Sequence, residues 1–225
     1  MASVSGCSQG SGTQDAAVTF FDALHKTMSA QSMVLEGEGE AQAGLSGKLK
    51  VHAVLDQRSD LQAAVTTTLT AYGLTLDPFL DFYIRDGHTY LNSQGTKSSS
   101  TLKALGLDEN TKLSAWDPFL SLTDKEKAAL FKSARVDGDT YSFEIDPTKV
   151  STLLDSMGGA DISTASVEAV IKDGYVTKLV LDIAGTQTMD DRSQDFKFKI
   201  DLKVKGLDQD VQMNWPDDLA DWPVQ

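Results

Sequence analysis

The feature that most constrains the fold is the dipeptide Asp-Gly, set three times between runs of β-forming residues. Asp86-Gly87 lies between Phe82-Tyr83-Ile84-Arg85 and His88-Thr89-Tyr90-Leu91. Asp137-Gly138 lies between Ala134-Arg135-Val136 and 139–145, and Asp173-Gly174 between 168–172 and 175–181. Asp and Gly accept the left-handed backbone of a two-residue hairpin turn, whose twist matches that of paired strands. Three such turns commit the chain to antiparallel pairing between sequence neighbours. Strands and helices do not alternate as a parallel sheet requires.

Period-two patterning supplies the faces. Over 33–43, Met33, Leu35, Gly37, Gly39 and Ala41 share one face, and Val34, Glu36, Glu38, Glu40 and Gln42 the other. A turn at Gly44 and Ser46-Gly47 leads to 48–55, where Leu49, Val51, Ala53 and Leu55 oppose Lys48, Lys50 and His52. A tight hairpin sets Glu40 opposite Lys48, Glu38 opposite Lys50 and Glu36 opposite His52. Such pairs stabilise by about 0.2–1 kcal/mol each, so the Glu-Gly-Glu-Gly-Glu run reads as register chemistry rather than as a catalytic or calcium site. A third strand covers 61–70. Near the end, Phe196, Phe198, Ile200, Leu202 and Val204 alternate with Lys197, Lys199, Asp201, Lys203 and Lys205. The patterns add up to roughly nine or ten strands.

Helices fall between the hairpins. Asp15 is placed to cap a helix reaching about Ser29, with Ala17, Phe21, Leu24 and Met28 on one face and Phe20 widening it. Thr123-Asp124-Lys125-Glu126 is a capping box opening a helix to about Phe131. Asp146-Pro147 opens another through Val150, Leu153, Leu154 and Met157, ended by Gly158-Gly159. Asp77-Pro78 suits a short helical turn. The expected class is α+β: a curved antiparallel sheet, a half-open β-barrel, with short helices covering its concave face. A space between sheet and helices suits a hydrophobic ligand. The residues placed to face it are Phe21, Leu24 and Met28 on the first helix, and Leu35, Leu49, Val51, Leu179, Leu181, Phe198, Ile200 and Leu202 on strands. Gly37 and Gly39 leave room for it. Each of these positions also suits an ordinary core.

Several functions are excluded. The net charge of -13 repels phosphate backbones, so no nucleic-acid partner is expected. One cysteine allows no internal disulfide and no cysteine-based zinc site, and the three histidines are scattered, so no metal or cofactor is expected. Nucleophile-elbow, P-loop, dinucleotide-binding and His-Glu-x-x-His motifs are absent. His25 on a helix flank, His52 on a charged strand face and His88 beside a turn read as surface histidines. Asp137-Gly138-Asp139 lacks the spacing of a calcium loop. No run approaches the roughly 18 apolar residues of a membrane helix. A non-enzymatic protein is expected.

At the N-terminus, Val4-Ser5-Gly6-Cys7 resembles a bacterial lipobox, with Val4 where leucine is usual, and 8–14 has linker composition. An incidental cysteine in a polar tail fits the same residues. The division expected is a tether, 1–14, carrying Cys7 as lipid anchor, and one domain, 15–225, ending in an acidic tail with Trp215-Pro216 and Trp222-Pro223. The order of elements resembles the LolA/LppX-type superfamily of bacterial lipoproteins over 15–217. The resemblance rests on the lipobox-like cysteine, the tether, the amphipathic helix and the strand Met33-Val34-Leu35-Glu36-Gly37-Glu38-Gly39-Glu40. It continues through the Asp86–Tyr90 hairpin, the capped central helices, the alternating C-terminal strands and the close Gln212-Met213-Asn214-Trp215-Pro216. It implies a half-open barrel that carries a lipid or lipoprotein in its concavity, without catalysis. It also implies a place outside the cytoplasm, anchored to the bacterial cell membrane through Cys7. The alternative is an envelope module with a filled core that binds a protein partner through its acidic surface.

Overall fold

The computed structural model describes residues 9–42, 46–108, 110–149, 160–189 and 192–224. Helix α1 (Gln9–Met28) precedes three strands, β1 (Ser32–Gln42), β2 (Ser46–Asp56) and β3 (Gln62–Ala71). Then come β4 (Leu74–Leu76), β5 (Leu80–Arg85), β6 (His88–Ser93) and β7 (Thr96–Thr101). A long connection with 3-10 turns at Leu102–Leu105 and Leu113–Trp116 leads to α2 (Asp124–Ala129). The chain then runs through β8 (Phe131–Asp137), β9 (Thr140–Ile145), β10 (Ala160–Lys172), β11 (Tyr175–Met189) and β12 (Arg192–Lys205).

All of these strands join one antiparallel sheet, ordered β7-β6-β5-β3-β2-β1-β12-β11-β10-β9-β8, with β4 added beside β3. Strands β7 and β8 lie at opposite ends of that order, so the barrel is half open. The Glu/Lys register holds as expected: Glu40 pairs with Lys48, Glu38 with Lys50 and Glu36 with His52. Lys48 Nζ stands 3.3 Å from Glu40 Oε1. Ser46 and Gly47, expected in the turn, already belong to β2, and 43–45 lie outside the described residues.

The described residues give twelve strands rather than nine or ten. Strands β4 and β7 are the additions. Both follow hairpin turns in which both central residues have positive φ: Tyr72 (55°) with Gly73 (74°), and Gln94 (50°) with Gly95 (90°). Asp86-Gly87 and Asp173-Gly174 have the same conformation. Glycine in second place is the common requirement, and the residue before it varies.

The helices depart from expectation at their ends. Helix α1 begins at Gln9, so Gln9–Gln14, expected in the tether, are helical. Thr123 and Glu126 form the expected capping box, but α2 stops at Ala129 and Phe131 opens β8. The pull of the β8–β9 hairpin outweighs continuation of so short a helix. Residues 147–149 are helical, and the rest of that expected helix lies outside the described residues. Asp77–Phe79 is a bend with a cis Asp77-Pro78 peptide, not a helical turn, and Phe79 N–H donates to Thr67 O.

Two apolar clusters share the inner face. The larger joins Ala16, Ala17, Phe20, Phe21 and Ala23 of α1 to Phe131, Phe143, Val167, Ala169, Ile171 and Val176 of β8–β11. A smaller one joins Leu61, Ala63, Ile84 and Leu102. A third lies on the outer face, where Ala64 and Tyr83 are covered by Leu219 and Trp222 of the C-terminal segment. The acidic tail is therefore packed. Trp222 sits between Tyr83 and Tyr90, with centroids at 5.9 and 6.1 Å, and Val224 bridges to Ser99 of β7.

Candidate functional site: an apolar pocket under helix α1

Helix α1 is fixed over the sheet by polar ties, those of Thr27 buried. Thr27 Oγ1 donates to Ala23 O (2.7 Å) and accepts from Val176 N–H (2.8 Å). Lys26 Nζ donates to Asp173 O at 2.8 Å. Gln57, buried at the end of β2, donates through Nε2 to Met28 O (2.9 Å) and Ala30 O (2.6 Å). Its Oε1 accepts from Leu113 N–H at 2.8 Å, tying the long connection to the helix. These bonds satisfy carbonyls at the helix end that would otherwise lack partners.

Five of the nine phenylalanines pack between α1 and the sheet. Phe131 and Phe143 stack at 4.3 Å, Phe20 lies 5.3 Å from Phe143, and Phe21 lies 4.8 Å from Phe119. They do not fill the space. A pocket of about 250 Å³ remains, walled by Phe20, Phe21 and Leu24 of α1, Phe119 and Leu130 of the connections, and Phe131, Ile145, Val167, Leu179 and Leu181 of the sheet. Every atom exposed in it is apolar. Lys149 borders it.

Of the positions expected to face a ligand, Phe21, Leu24, Leu179 and Leu181 line this pocket. Leu179 and Leu181 pair with Leu202 and Ile200 of β12, which pair with Gly37 and Gly39 of β1, and these with Val51 and Leu49 of β2. The inner face thus continues beyond the pocket through half-buried Leu35, Leu49, Val51, Phe198, Ile200 and Leu202. Met28 lies at the C-terminal end of α1, outside the pocket lining. The room expected at Gly37 is occupied: a Cβ there would stand 2.5 Å from Leu202 Cδ2. At Gly39 a Cβ would meet Leu49 Cβ at an ordinary 3.5 Å. Cys7 lies outside the described residues.

Residues absent from the expected set are Phe20, Phe119, Leu130, Phe131, Ile145 and Val167. Alternation could have found Val167, Phe131 and Ile145, since Val167 pairs with Phe143 in β9 and Ile145 with Phe131. Phe119 has no such signal. It sits in a turn held by Asp117, whose Oδ1 accepts Phe119 N–H (2.9 Å) and whose Oδ2 accepts from His25 Nδ1 (3.1 Å). His25, expected at the surface, keeps its side chain 38% exposed, and its Asp117 partner is a carboxylate only 4% exposed.

The outer face of the sheet carries paired charges. Lys205 holds the Glu36 carboxyl below its usual range by hydrogen bond and charge, at 2.6 Å. Lys178 pairs with Asp201 at 3.3 Å and Lys197 with Asp182 at 3.5 Å. Burial pushes Asp81 above the ordinary carboxylate value, and burial with the Asp81 charge pushes Tyr83 up to about 12.

No family model and no curated protein sequence matches the chain. Among solved structures the chain is similar to LprF from Mycobacterium bovis, with a TM-score of 0.49 and 12% identity, over 90% of this chain and 97% of that one. A more distant similarity, with a TM-score of 0.12 and 10% identity over 85% of this chain and 98% of the other, is to MucB in complex with MucA(peri).

Proposed function

We propose that this chain is a non-enzymatic extracytoplasmic lipoprotein, anchored to the bacterial cell membrane through Cys7, that holds a lipid or other hydrophobic molecule against the inner face of its half-barrel. The observation that carries the reading is the unfilled apolar pocket under α1, continuous through Leu179 and Leu181 with the half-buried face of β12, β1 and β2. Burial of an alkyl chain there gains about 0.8 kcal/mol per methylene, and an empty apolar wall forgoes that gain. The open pocket favours this reading over an interaction module with a filled core.

The test is native mass spectrometry of the full chain purified from a bacterial host, with organic extraction and titration with a dansylated fatty acid. A lipid-sized adduct, or probe uptake lost at least about tenfold in Leu181→Trp, supports the reading. Bare protein that takes up no probe overturns it. For the anchor, Cys7→Ser made behind a lipoprotein signal sequence should move the protein from the membrane to the soluble fraction.

A further inference from the structure

Two walls of the pocket are regular secondary structure; the third, at Phe119, is a turn packed on Phe21 and hydrogen-bonded to helix α1 through one side-chain pair. Helix α1 and strands β8–β11 are built on regular hydrogen bonding. Phe119 belongs to neither. It lies in the turns at 117–122, whose main-chain bonds are local: Asp117 N–H to Ser114 O, Leu120 N–H to Asp117 O, Leu122 N–H to Phe119 O. Among the described residues, the hydrogen bond that reaches from this turn to another wall of the pocket is His25 Nδ1 to Asp117 Oδ2, at 3.1 Å. The other oxygen of the same carboxylate takes Phe119 N–H at 2.9 Å. One buried side chain therefore couples a helix residue to the backbone of Phe119, whose ring lines the pocket and packs against Phe21.

We propose that His25 and Asp117 form a clasp that holds the Phe119 wall shut, and that its release is the step by which ligand enters and leaves. Without His25, the Asp117 carboxylate keeps its burial and loses a charge-assisted partner, so the turn gains by moving out to water and taking Phe119 with it. His25 is a positioning residue that touches no ligand. The role in exchange rests on the carrier reading; the role in closing the wall does not.

The experiment uses the full chain in two arms. The first needs no ligand: amide hydrogen exchange at Phe119, Leu120 and Leu122, with Val167 and Leu181 as controls for an intact fold. His25→Ala should speed exchange at the turn by more than about tenfold and leave the controls unchanged. His25→Gln, which keeps a donor on the helix, should restore most of the protection. The second arm is the off-rate of the dansylated fatty acid, expected to rise about tenfold in His25→Ala with capacity unchanged. Turn exchange unchanged in His25→Ala overturns the clasp whatever the probe does. Faster turn exchange with an unchanged off-rate overturns its role in ligand exchange. A wild-type protein that binds no probe but loses protection in His25→Ala upholds the clasp on the wall and brings down the carrier reading.

Discussion

A Cβ built on Gly37 would stand 2.5 Å from Leu202 Cδ2, so the glycine on β1 and the leucine paired with it on β12 divide one volume between them. The obstructing atom is the end of a flexible side chain, and Leu202 can turn at some cost. Gly37→Ala should destabilise the protein by about 1 kcal/mol, near the low end for overpacking. Leu202→Ala should cost about 2 kcal/mol for lost burial. Combined, they should cost less than their sum by at least about 0.5 kcal/mol, since each relieves the other. Urea denaturation of the two single variants and the double variant measures this; strict additivity would show that Leu202 does not fill the glycine's place.

Gly185 is constrained by main chain. A Cβ there would lie 2.2 Å from Asp161 O and 3.0 Å from Ile162 Cα, at the irregularity where β10 shifts register between Ile162 and Thr164. Neither atom can move without opening the β10–β11 ladder. Gly185→Ala is expected to cost more than about 3 kcal/mol, while Gly39→Ala, with only ordinary contacts, should stay within about 1 kcal/mol of wild type. Thermal unfolding of the pair separates the cases, and equal Tm values would refute the distinction.

Thr27 tests the docking of α1. Thr27→Val keeps the shape but leaves the buried Val176 N–H without its acceptor, at an expected cost of about 1–3 kcal/mol. Thr27→Ser retains the hydroxyl and should recover most of that loss. If Val and Ser variants melt together, the hydroxyl contributes nothing to docking.

Tyr83 gives a pH signature. Its folded-state value of about 12 lies above the ordinary phenol value of 10.0. The folded protein therefore keeps a proton that the unfolded chain gives up, and stability falls as pH rises from 10 toward 12. The part due to Tyr83 should be about 2 kcal/mol and should vanish in Tyr83→Phe. Denaturation between pH 9 and 12 reads the difference; parallel profiles for the two proteins would contradict it. In acid the same logic applies to Asp81, whose raised value makes ionisation cost stability as pH climbs through the carboxylate range.

Legibility in the sequence followed how local each determinant is. The β1–β2 register could be read because Glu36, Glu38 and Glu40 meet complementary partners on the next strand. Phe21, Leu24, Leu179 and Leu181 could be read because helix and strand periodicities mark their faces. Strand β7, Thr-Lys-Ser-Ser-Ser-Thr, has no apolar alternation. It is a strand because β6 pairs with it and because Ser99 is covered by the C-terminal segment, Oγ donating to Trp222 O at 3.0 Å. The place of Phe119 depends on a carboxylate held by a helix ninety-two residues away, which no local pattern encodes. Gly37 misled for a related reason: a missing side chain reads as vacancy along one strand, but occupancy is decided by the strand beside it.

The pairing of β1 with β12 has a consequence for how the molecule comes to exist. Each flank of the sheet is a run of sequence-local hairpins, but Val34 meets Lys205 and Gln42 meets Lys197 along a single seam between early and late chain. Closing that seam brings together residues 155 to 171 positions apart in a chain of 225, the kind of contact that is paid for in loop entropy before any bond rewards it, so it forms slowly. Until the last long strand has been delivered, β1 and β11 are both raw edges and the apolar inner face has no continuous floor. A chain cut short before β12 would be two unfinished sheets rather than a smaller half-barrel.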